Sequence, residues 1–216
     1  MIGDANHMTL LIVGAGGLGR EVAATALALG HWNEIAFVDD NATEPVNGVN
    51  GLSIWGDVAD LSTAEGHYEV MIAIGNPSLK RSIHERLKKN EKLTFPTIVH
   101  PNARIHWPEY VHLGNGTYIA DGTIITTNVR IGDFVLINLG CTVGHDTTIG
   151  SYSCIMPSAN ISGGATLEEE VYIGTGAKLI KATNLGRGCV VGAGAVVNVD
   201  IPINETWGGV PAKPLK

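Results

Sequence analysis

Charge is scarce in this sequence, and the charge that is present is mostly negative. Only 16% of the 216 residues are charged, and 14 Lys and Arg against 21 Asp and Glu give a formal net charge of −7. Proteins that bind a nucleic-acid backbone need a basic face, so the composition argues against a nucleic-acid partner. So few charges are expected where the surface is β-structure or is covered by other subunits.

Cysteine and long apolar runs are lacking as well. The three cysteines, Cys141, Cys154 and Cys189, form no disulfide framework, which favours a reducing, cytoplasmic compartment. No apolar run reaches the length of a membrane span, and the short apolar segment Leu10–Val13 lacks the flanks of a signal peptide. We therefore expect no membrane partner. Residues 1–7 are polar and aperiodic and are expected to lie outside the first domain.

A six-residue repeat fills the second half of the chain. From Leu113 to Ile203, every sixth residue is Leu, Ile or Val. A period of six fits neither an α-helix nor a plain strand, but it is typical of short strands joined by tight turns and wound into a prism. The aliphatic residue is expected to point inward, with a small or β-branched residue two positions earlier. The repeat predicts a left-handed parallel β-helix over residues 99–216.

The period also predicts the positions of the cysteines, the tail and the glycines. Cys141 and Cys189 occupy the small-residue position and are expected in the core, whereas Cys154 is expected to face solvent. The segment Trp207–Leu215 breaks the period and is expected to cap the last coil. Glycine often follows the inward residue, and we interpret it as a corner that needs unusual backbone angles; it stands there at Gly114, Gly132, Gly144, Gly150, Gly174, Gly186 and Gly192.

The first hundred residues alternate between strands and helices. This order predicts a Rossmann-like α/β domain over residues 8–98, joined to the first coil by an extended crossing at Thr94–Arg104. The predicted elements are a strand at Leu10–Val13, a glycine turn at Gly14–Gly19, a helix at Arg20–Leu29, strands at Ile35–Val38 and Val70–Ile74, and a helix from Pro77, capped by Asn76, to about Asn90.

The glycine turn Gly14–Gly19 and the pair Asp39-Asp40 are candidates for binding a nucleotide. Glycine lets the backbone approach a ligand, the helix start offers N–H groups to an anion, and carboxylates accept hydrogen bonds from a sugar, a ribose or a base. The alternatives are a tight turn without a ligand, a solvated acidic turn and an NAD-dependent oxidoreductase. The front domain looks too small for the two mononucleotide-binding halves of a dinucleotide fold.

Histidine is nearly absent from the repeat. After His112 the sequence contains only His145, two positions after the inward Val143, so its ring is expected to point outward from a corner. Asp146 follows directly and is able to orient the ring. A neutral imidazole there suits a general base; the alternative is an exposed histidine without a role. A zinc site needs three converging ligands, which the repeat does not supply.

Together, these features make the chain resemble the hexapeptide-repeat acyltransferases. The front motifs Gly14–Gly17 and Ala73–Asn76, the His145-Asp146 corner and the tail Gly209–Lys213 make it similar to the bacterial sugar acetyltransferases with a Rossmann-like front domain. That group includes the bacillosamine- and perosamine-type nucleotide-sugar N-acetyltransferases and the sialic acid O-acetyltransferases. The resemblance implies a homotrimer, with acetyl-CoA in the groove between neighbouring β-helices.

The resemblance also implies roles for particular residues. His145 matches the general base, Asp146 a supporting carboxylate, and Gly163 a backbone N–H that faces the acetyl carbonyl oxygen. The positions that match the nucleotide-sugar site are Gly16, Gly17, Leu18, Asp39, Asp40 and Gly75, with Asn138 near the sugar. The positions that match the coenzyme site are Cys154, Thr175 and Ala193. The chain departs from the pattern at Cys154, where some members have histidine, and at Gly144, where some have an acidic residue.

The expected reaction is acetyl transfer from acetyl-CoA to the 4-amino group of a nucleotide-linked 4-amino-4,6-dideoxysugar, for a bacterial surface glycan or glycoprotein. A UDP-sugar is the favoured substrate, and no metal is required. An O-acetyltransferase acting on sialic acid or a related sugar would use the same base. A β-helical carbonic anhydrase, with three histidines around zinc, and a non-catalytic scaffold are the alternatives from other classes.

Overall fold

The computed structural model describes residues 8–41 and 48–215. Residues 1–7, set apart above, and the last residue of the predicted β-helix, 216, lie outside this range. Within the described ranges, no helix has both the length and the apolar character to cross a membrane. The chain divides into two units, the first formed by residues 8–41, 48–75 and 79–96 and the second by residues 76–78 and 97–215.

The first unit is a parallel sheet with helices. The sheet has five strands in the order β3-β2-β1-β4-β5, and every neighbouring pair is parallel, as in a Rossmann-like fold. Its elements are β1 (Thr9–Val13), α1 (Gly17–Leu29), β2 (Glu34–Val38), β3 (Ile54–Gly56), α2 (Val58–Ser62), β4 (Tyr68–Ile72), most of α3 (Pro77–Leu87) and β5 (Leu93–Thr94).

The predicted elements of this unit differ from the observed ones mainly at their ends. Helix α1 begins at Gly17, three residues before the predicted start, because the glycine turn itself enters the helix, and it ends before Gly30, whose φ is 65°. Helix α3 ends at Leu87 rather than near Asn90. All five residues of β1 are buried, as expected of a central parallel strand.

The second unit is built from two- and three-residue strands and one short 3₁₀ helix at Pro108–Tyr110. In chain order the strands are β6 (Ile98–Val99), β7 (Arg104–Ile105), β8 (Val111–Leu113), β9 (Tyr118–Ile119), β10 (Ile124–Ile125), β11 (Val129–Ile131), β12 (Leu136–Ile137), β13 (Thr142–Val143), β14 (Thr148–Ile149), β15 (Cys154–Ile155), β16 (Asn160–Ile161), β17 (Thr166–Leu167), β18 (Tyr172–Ile173), β19 (Lys178–Leu179), β20 (Asn184–Leu185), β21 (Val190–Val191), β22 (Val196–Val197), β23 (Thr206–Gly208) and β24 (Lys213–Pro214).

Successive strands belong to three different sheets, which form the walls of a left-handed parallel β-helix. Wall 1 contains β6, β9, β12, β15, β18, β21, β23 and β24; wall 2 contains β7, β10, β13, β16, β19 and β22; wall 3 contains β8, β11, β14, β17 and β20. Corner 1 leads from wall 1 to wall 2, corner 2 from wall 2 to wall 3, and corner 3 back to wall 1. The predicted crossing Thr94–Arg104 is partly wrong, because β6 and β7 already pair with coil strands.

The six-residue period sets both the interior and the corners. The predicted inward residues from Ile119 to Val197 are each at most 2% exposed. Three residues after each inward residue from Leu113 to Val191, φ lies between 55° and 74°. Half of these left-handed residues are not glycine, so the stacking of coils enforces a conformation that most side chains disfavour.

The interpretation of the glycines that follow the inward residues is wrong. None of the seven has a positive φ. At six of them an added Cβ would instead lie 2.5–2.7 Å from a backbone atom of the next coil, and only at Gly192 is the nearest atom 3.4 Å away. These glycines are required because adjacent coils approach closely, whereas the unusual angles occur two residues later.

The last member of the repeat is also mispredicted. Ile203 is 63% exposed, and Ile201, 2% exposed, takes the inward place. The carboxylate of Asp200 accepts hydrogen bonds from the backbone N–H and the side-chain amide of Asn184. This side-chain contact lets the chain take a shorter path, so that Ile201 pairs with Leu185. The period then continues with a shift of two residues.

The cysteines and the tail give a mixed outcome. Cys141 and Cys189 are buried as predicted, and burial raises the pKa of their thiols to about 11 and about 12. The prediction that Cys154 faces solvent is wrong, because it is 0% exposed; it lies between the larger Leu136 and Tyr172 of neighbouring strands, which leave the small thiol no access to water. The tail caps the coil: β23 pairs with β21 and β24 with β23.

Gly150→Ala is predicted to destabilise the protein by about 1–3 kcal/mol, the usual cost of overpacking. Its Cβ would lie 2.5 Å from the backbone carbon of Glu168, which cannot move without disturbing the next coil. The matched control is Gly192→Ala, where the nearest atom is 3.4 Å away. Denaturant unfolding at one protein concentration measures both. Equal midpoints for the two variants would contradict the close-approach explanation.

Candidate functional site

His145 lies at corner 2, on the turn between β13 and β14. Its side chain is 58% exposed and points outward, as predicted, and its Nδ1 is 2.7 Å from Oδ2 of Asp146. Asp146 is one of the left-handed corner residues, with a φ of 58°. When Nδ1 carries the proton and donates a hydrogen bond to Asp146, Nε2 holds the lone pair and is the basic nitrogen. The corner therefore presents an outward-facing imidazole whose Nδ1 faces a carboxylate.

Asp146 is held from a second side by Asn128. The Nδ2 of Asn128, one coil earlier at the same corner, donates to Oδ1 of Asp146 at 3.2 Å. Hydrogen bonds from His145 and from Asn128 hold the pKa of Asp146 below its usual value, so the carboxylate is ionised at neutral pH. An ionised carboxylate stabilises the imidazolium that forms when the base accepts a proton.

Gly163 lies against the imidazole, one coil after His145. A Cβ at this position would be 2.6 Å from Nε2 of His145, so only glycine leaves room for the ring. The neighbouring N–H of Gly164 donates to the carbonyl of His145 at 2.7 Å. Within the described residues, the N–H of Gly163 has no acceptor in the protein. This N–H is therefore available to a ligand at the same corner as His145.

The predicted coenzyme and sugar positions lie at a different corner. Asn138, Thr175 and Ala193 follow wall 1 and belong to corner 1, at the opposite edge of wall 2 from His145. Thr175 and Ala193 are exposed. Asn138 is 5% exposed, and its Oδ1 accepts from its neighbour's backbone N–H at 2.7 Å. Within one chain, the structure does not bring these residues to the base.

Gly144 and Cys154, the two residues that depart from the family pattern, are both confined by their surroundings. Gly144 has no room for any side chain, because a Cβ there would be 2.5 Å from the backbone nitrogen of Gly163. Cys154 lies within wall 1 rather than at a corner and is fully buried. It has no exposed surface for a coenzyme, and we leave it out of the proposed site.

In the first unit, the glycine turn contains structural and open positions. Gly14 has a φ of 103°, and a Cβ at Gly19 would be 1.8 Å from the carbonyl oxygen of Gly14, so both glycines serve the fold. At Gly16, Gly17 and Gly75, by contrast, nothing lies within 4 Å of an added Cβ. Helix α1 has no side-chain cap and no acidic residue in its first turn. Its first N–H groups therefore suit an anion.

The two aspartates after β2 have different surroundings. Asp39 accepts from the backbone N–H of Ala15 at 2.8 Å and of Asn41 at 2.9 Å, so it holds the glycine turn in place. Asp40 accepts from Val58 N–H through Oδ1 at 2.8 Å. Among the described residues, its Oδ2 has no protein donor. Asp40 is thus the carboxylate better placed for a ligand.

Both aspartates line a cleft of about 380 Å³ together with Gly14 and one face of α3. Sequence reasoning missed this face. The residues of this face are Leu79, Ser82, Ile83 and Arg86. Their spacing of i, i+3, i+4 and i+7 is that of one face of a helix, and it was the signal by which the sequence could have revealed them. Arg86 adds the cationic group that the predicted nucleotide site lacked. Its guanidinium has no acceptor among the described residues.

In the ranges that the structure describes, no three or more His, Cys, Asp or Glu side chains are grouped so as to hold a metal ion.

Comparison with known proteins gives matches to both units. Residues 9–87 match the family model of the PglD N-terminal domain. The GDP-perosamine N-acetyltransferase of Escherichia coli O157:H7 is 29% identical over 95% of both chains.

Solved structures match over almost the whole chain. The acetyltransferase domain of PglB from Neisseria gonorrhoeae FA1090 is 34% identical, with a TM-score of 0.91 over 97% of this chain and all of that one; it has also been solved in complex with acetyl coenzyme A. The perosamine N-acetyltransferase from Caulobacter crescentus, in complex with CoA and GDP-perosamine, is 29% identical over 96% of this chain and 97% of that one, with a TM-score of 0.88.

Gly163→Ala is predicted to displace His145 without unfolding the chain. The added methyl would lie 2.6 Å from Nε2, and the exposed ring moves more easily than the backbone. We expect the contact between Nδ1 and Asp146 to be lost, with unfolding free energy changed by less than about 1 kcal/mol. A crystal structure and a denaturation curve measure the two effects. Ser162→Ala, on the same turn, is the control; an unmoved ring in Gly163→Ala would contradict the steric explanation.

Proposed function

Since the chain belongs to the bacterial sugar N-acetyltransferases of the hexapeptide-repeat family, which use acetyl-CoA, we propose that it acetylates the 4-amino group of a nucleotide-linked 4-amino-4,6-dideoxysugar. The observation that carries the proposal is the exposed His145-Asp146 pair at a β-helix corner, with the N–H of Gly163 beside it. The product would serve a bacterial surface glycan or glycoprotein. The unpaired cysteines favour a reducing compartment such as the cytoplasm.

The chemistry assigned to corner 2 is general-base catalysis. The neutral amine attacks the thioester carbonyl, and Nε2 of His145 takes the amine proton as the C–N bond forms. This assistance is typically worth about 10²–10⁴ in rate. Asp146 stabilises the imidazolium, and the N–H of Gly163 donates to the oxyanion of the tetrahedral intermediate. When the C–S bond breaks, the imidazolium returns the proton to the departing thiolate.

The first unit is assigned the nucleotide half of the substrate. The open turn at Gly16 and Gly17, with the first N–H groups of α1, suits the diphosphate, and Arg86 adds a positive charge at the cleft. Asp40 accepts hydrogen bonds from the ribose or the base. We assign supporting contacts to Leu18 and Gly75.

We propose GDP rather than UDP as the nucleotide of the sugar substrate. Two relatives that match 95% and 96% of this chain carry GDP-perosamine in their names, and they give no support to the UDP preference expected from the sequence. Oδ2 of Asp40 has no donor among the described residues, because Val58 N–H binds Oδ1. Guanine offers adjacent N–H groups whose hydrogen bonds a carboxylate accepts well.

We also propose that the site is completed by a second copy of the chain. Thr175, Ala193 and Asn138 lie at corner 1, whereas His145 lies at corner 2. A closed threefold homo-oligomer would bring corner 1 of one copy to corner 2 of the next at three equivalent sites, with acetyl-CoA between them. Light scattering at assay concentration tests the assembly. An active monomer would contradict it.

The proposed activity is tested by CoA release. We expect the protein to release CoA with GDP-4-amino-4,6-dideoxymannose, more slowly with UDP- and dTDP-linked 4-amino sugars, and not with sialic acid. A chromogenic thiol reagent is suitable because the three cysteines of the chain are buried. His145→Ala should lower kcat at least about 100-fold. No CoA release with any 4-amino sugar, or normal turnover by a correctly assembled His145→Ala variant, would contradict the proposal.

Asp40→Asn is predicted to raise KM for the nucleotide sugar about tenfold, the loss of one hydrogen bond to a charged group. The asparagine keeps an oxygen for Val58 N–H, so the fold is retained. KM for acetyl-CoA should not change. Asp57→Asn is the matched control, because Asp57 caps the same helix α2 and lies outside the cleft. An unchanged KM in Asp40→Asn, or tight binding of NAD without binding of nucleoside diphosphate, would contradict the nucleotide assignment.

A further inference from the structure

Corner 2 aligns residues of successive coils into a column that contains Asp146. The column consists of Asn128, Asp146, Gly164 and Ala182, each with a left-handed φ between 55° and 74°. The coils are joined here by a backbone hydrogen bond from Asp146 N–H to the carbonyl of Thr127, at 3.2 Å. In this column, Asn128 is the residue whose side chain can donate a hydrogen bond to Asp146, because Gly164 and Ala182 have no side-chain donor.

The carboxylate of Asp146 needs a second contact to keep one orientation. Its side chain is 59% exposed and that of His145 is 58% exposed, so packing does not lock either rotamer. Oδ2 faces Nδ1 of His145 at 2.7 Å, and Oδ1 faces Nδ2 of Asn128 at 3.2 Å. A carboxylate bound through both oxygens to different donors has lost its rotational freedom, and the imidazole that it orients is fixed with it.

We propose that Asn128 is a positioning residue for the acetyl transfer: its amide holds Asp146 so that Asp146 orients His145 with Nε2 toward the substrate. The inference rests on the proposed function, in which His145 is the base. In the described part of the chain, Asn128 forms no hydrogen bond with the imidazole, so we take it to act through Asp146. This assignment predicts an effect on kcat that depends on the carboxylate of Asp146.

The test uses Asn128→Asp, which keeps the shape of the side chain but replaces the donor with a carboxylate that repels Oδ1 of Asp146. Asp tolerates the left-handed conformation much as Asn does, so the corner should fold. The matched control is Asn204→Asp, the same change at another exposed left-handed residue, with φ 58° against 55° at Asn128. Both variants are assayed as the intact assembled enzyme for kcat and for KM of each substrate.

We expect Asn128→Asp to lower kcat about tenfold, as for loss of a hydrogen bond to a charged group, with both KM values unchanged. Asn204→Asp should match the unmodified protein. In a protein that already carries Asp146→Ala, adding Asn128→Asp should have almost no further effect, because contacting residues are coupled. A merely structural role would lower kcat by the same factor in both backgrounds.

Normal kcat in Asn128→Asp, or an equal loss in both backgrounds, would overturn the inference. His145→Ala, assayed in parallel, separates this failure from failure of the proposed function. If His145→Ala is inactive and Asn128→Asp is normal, only the positioning role is wrong. If His145→Ala retains normal turnover, the base assignment is wrong and the positioning role falls with it.

Discussion

The backbone hydrogen bonds between one coil and the next are the constraint on which the rest of the β-helix depends. Ile124 N–H donates to the carbonyl of Cys141, and Thr142 N–H to that of Ala159, so each coil repeats the path of the one before it. Equivalent residues therefore stack in columns at each wall and corner. The imidazole of His145 over Gly163, and Asp146 over Asn128, are consequences of this stacking, and so is the need for glycine where coils approach closely.

Much of the fold is predictable because the hexapeptide period and the buried interior are one signal. The inward residues through Val197, the buried Cys141 and Cys189, and the glycine turn that leads into α1 all follow from residue type and spacing. The errors arise where a single contact overrides the pattern. Asp200 shortens the path and puts Ile201 inside in place of Ile203, while the larger neighbours of Cys154 on wall 1 cover it. Neither contact is encoded in the period.

The candidate site was predictable only in part. The outward ring of His145 and its contact with Asp146 follow from a lone histidine at a corner position. Asn128 was missed because it acts across a full coil, and Arg86 because it faces the cleft from a helix far along the chain from Asp40. His145 and Thr175 lie at opposite edges of wall 2, which the sequence alone did not reveal. The proposed chemistry therefore depends on contact between copies.

Complementation between two inactive variants tests this account most directly. His145→Ala removes the base at corner 2, and Ala193→Trp blocks corner 1, so each variant alone should be inactive. If the site lies between copies, co-assembly of the two in equal amounts restores intact sites at about a quarter of the interfaces of a threefold ring, with CoA release in proportion. Mixed assemblies that remain as inactive as either variant alone would contradict the account, since they would place both corners of each site in a single chain.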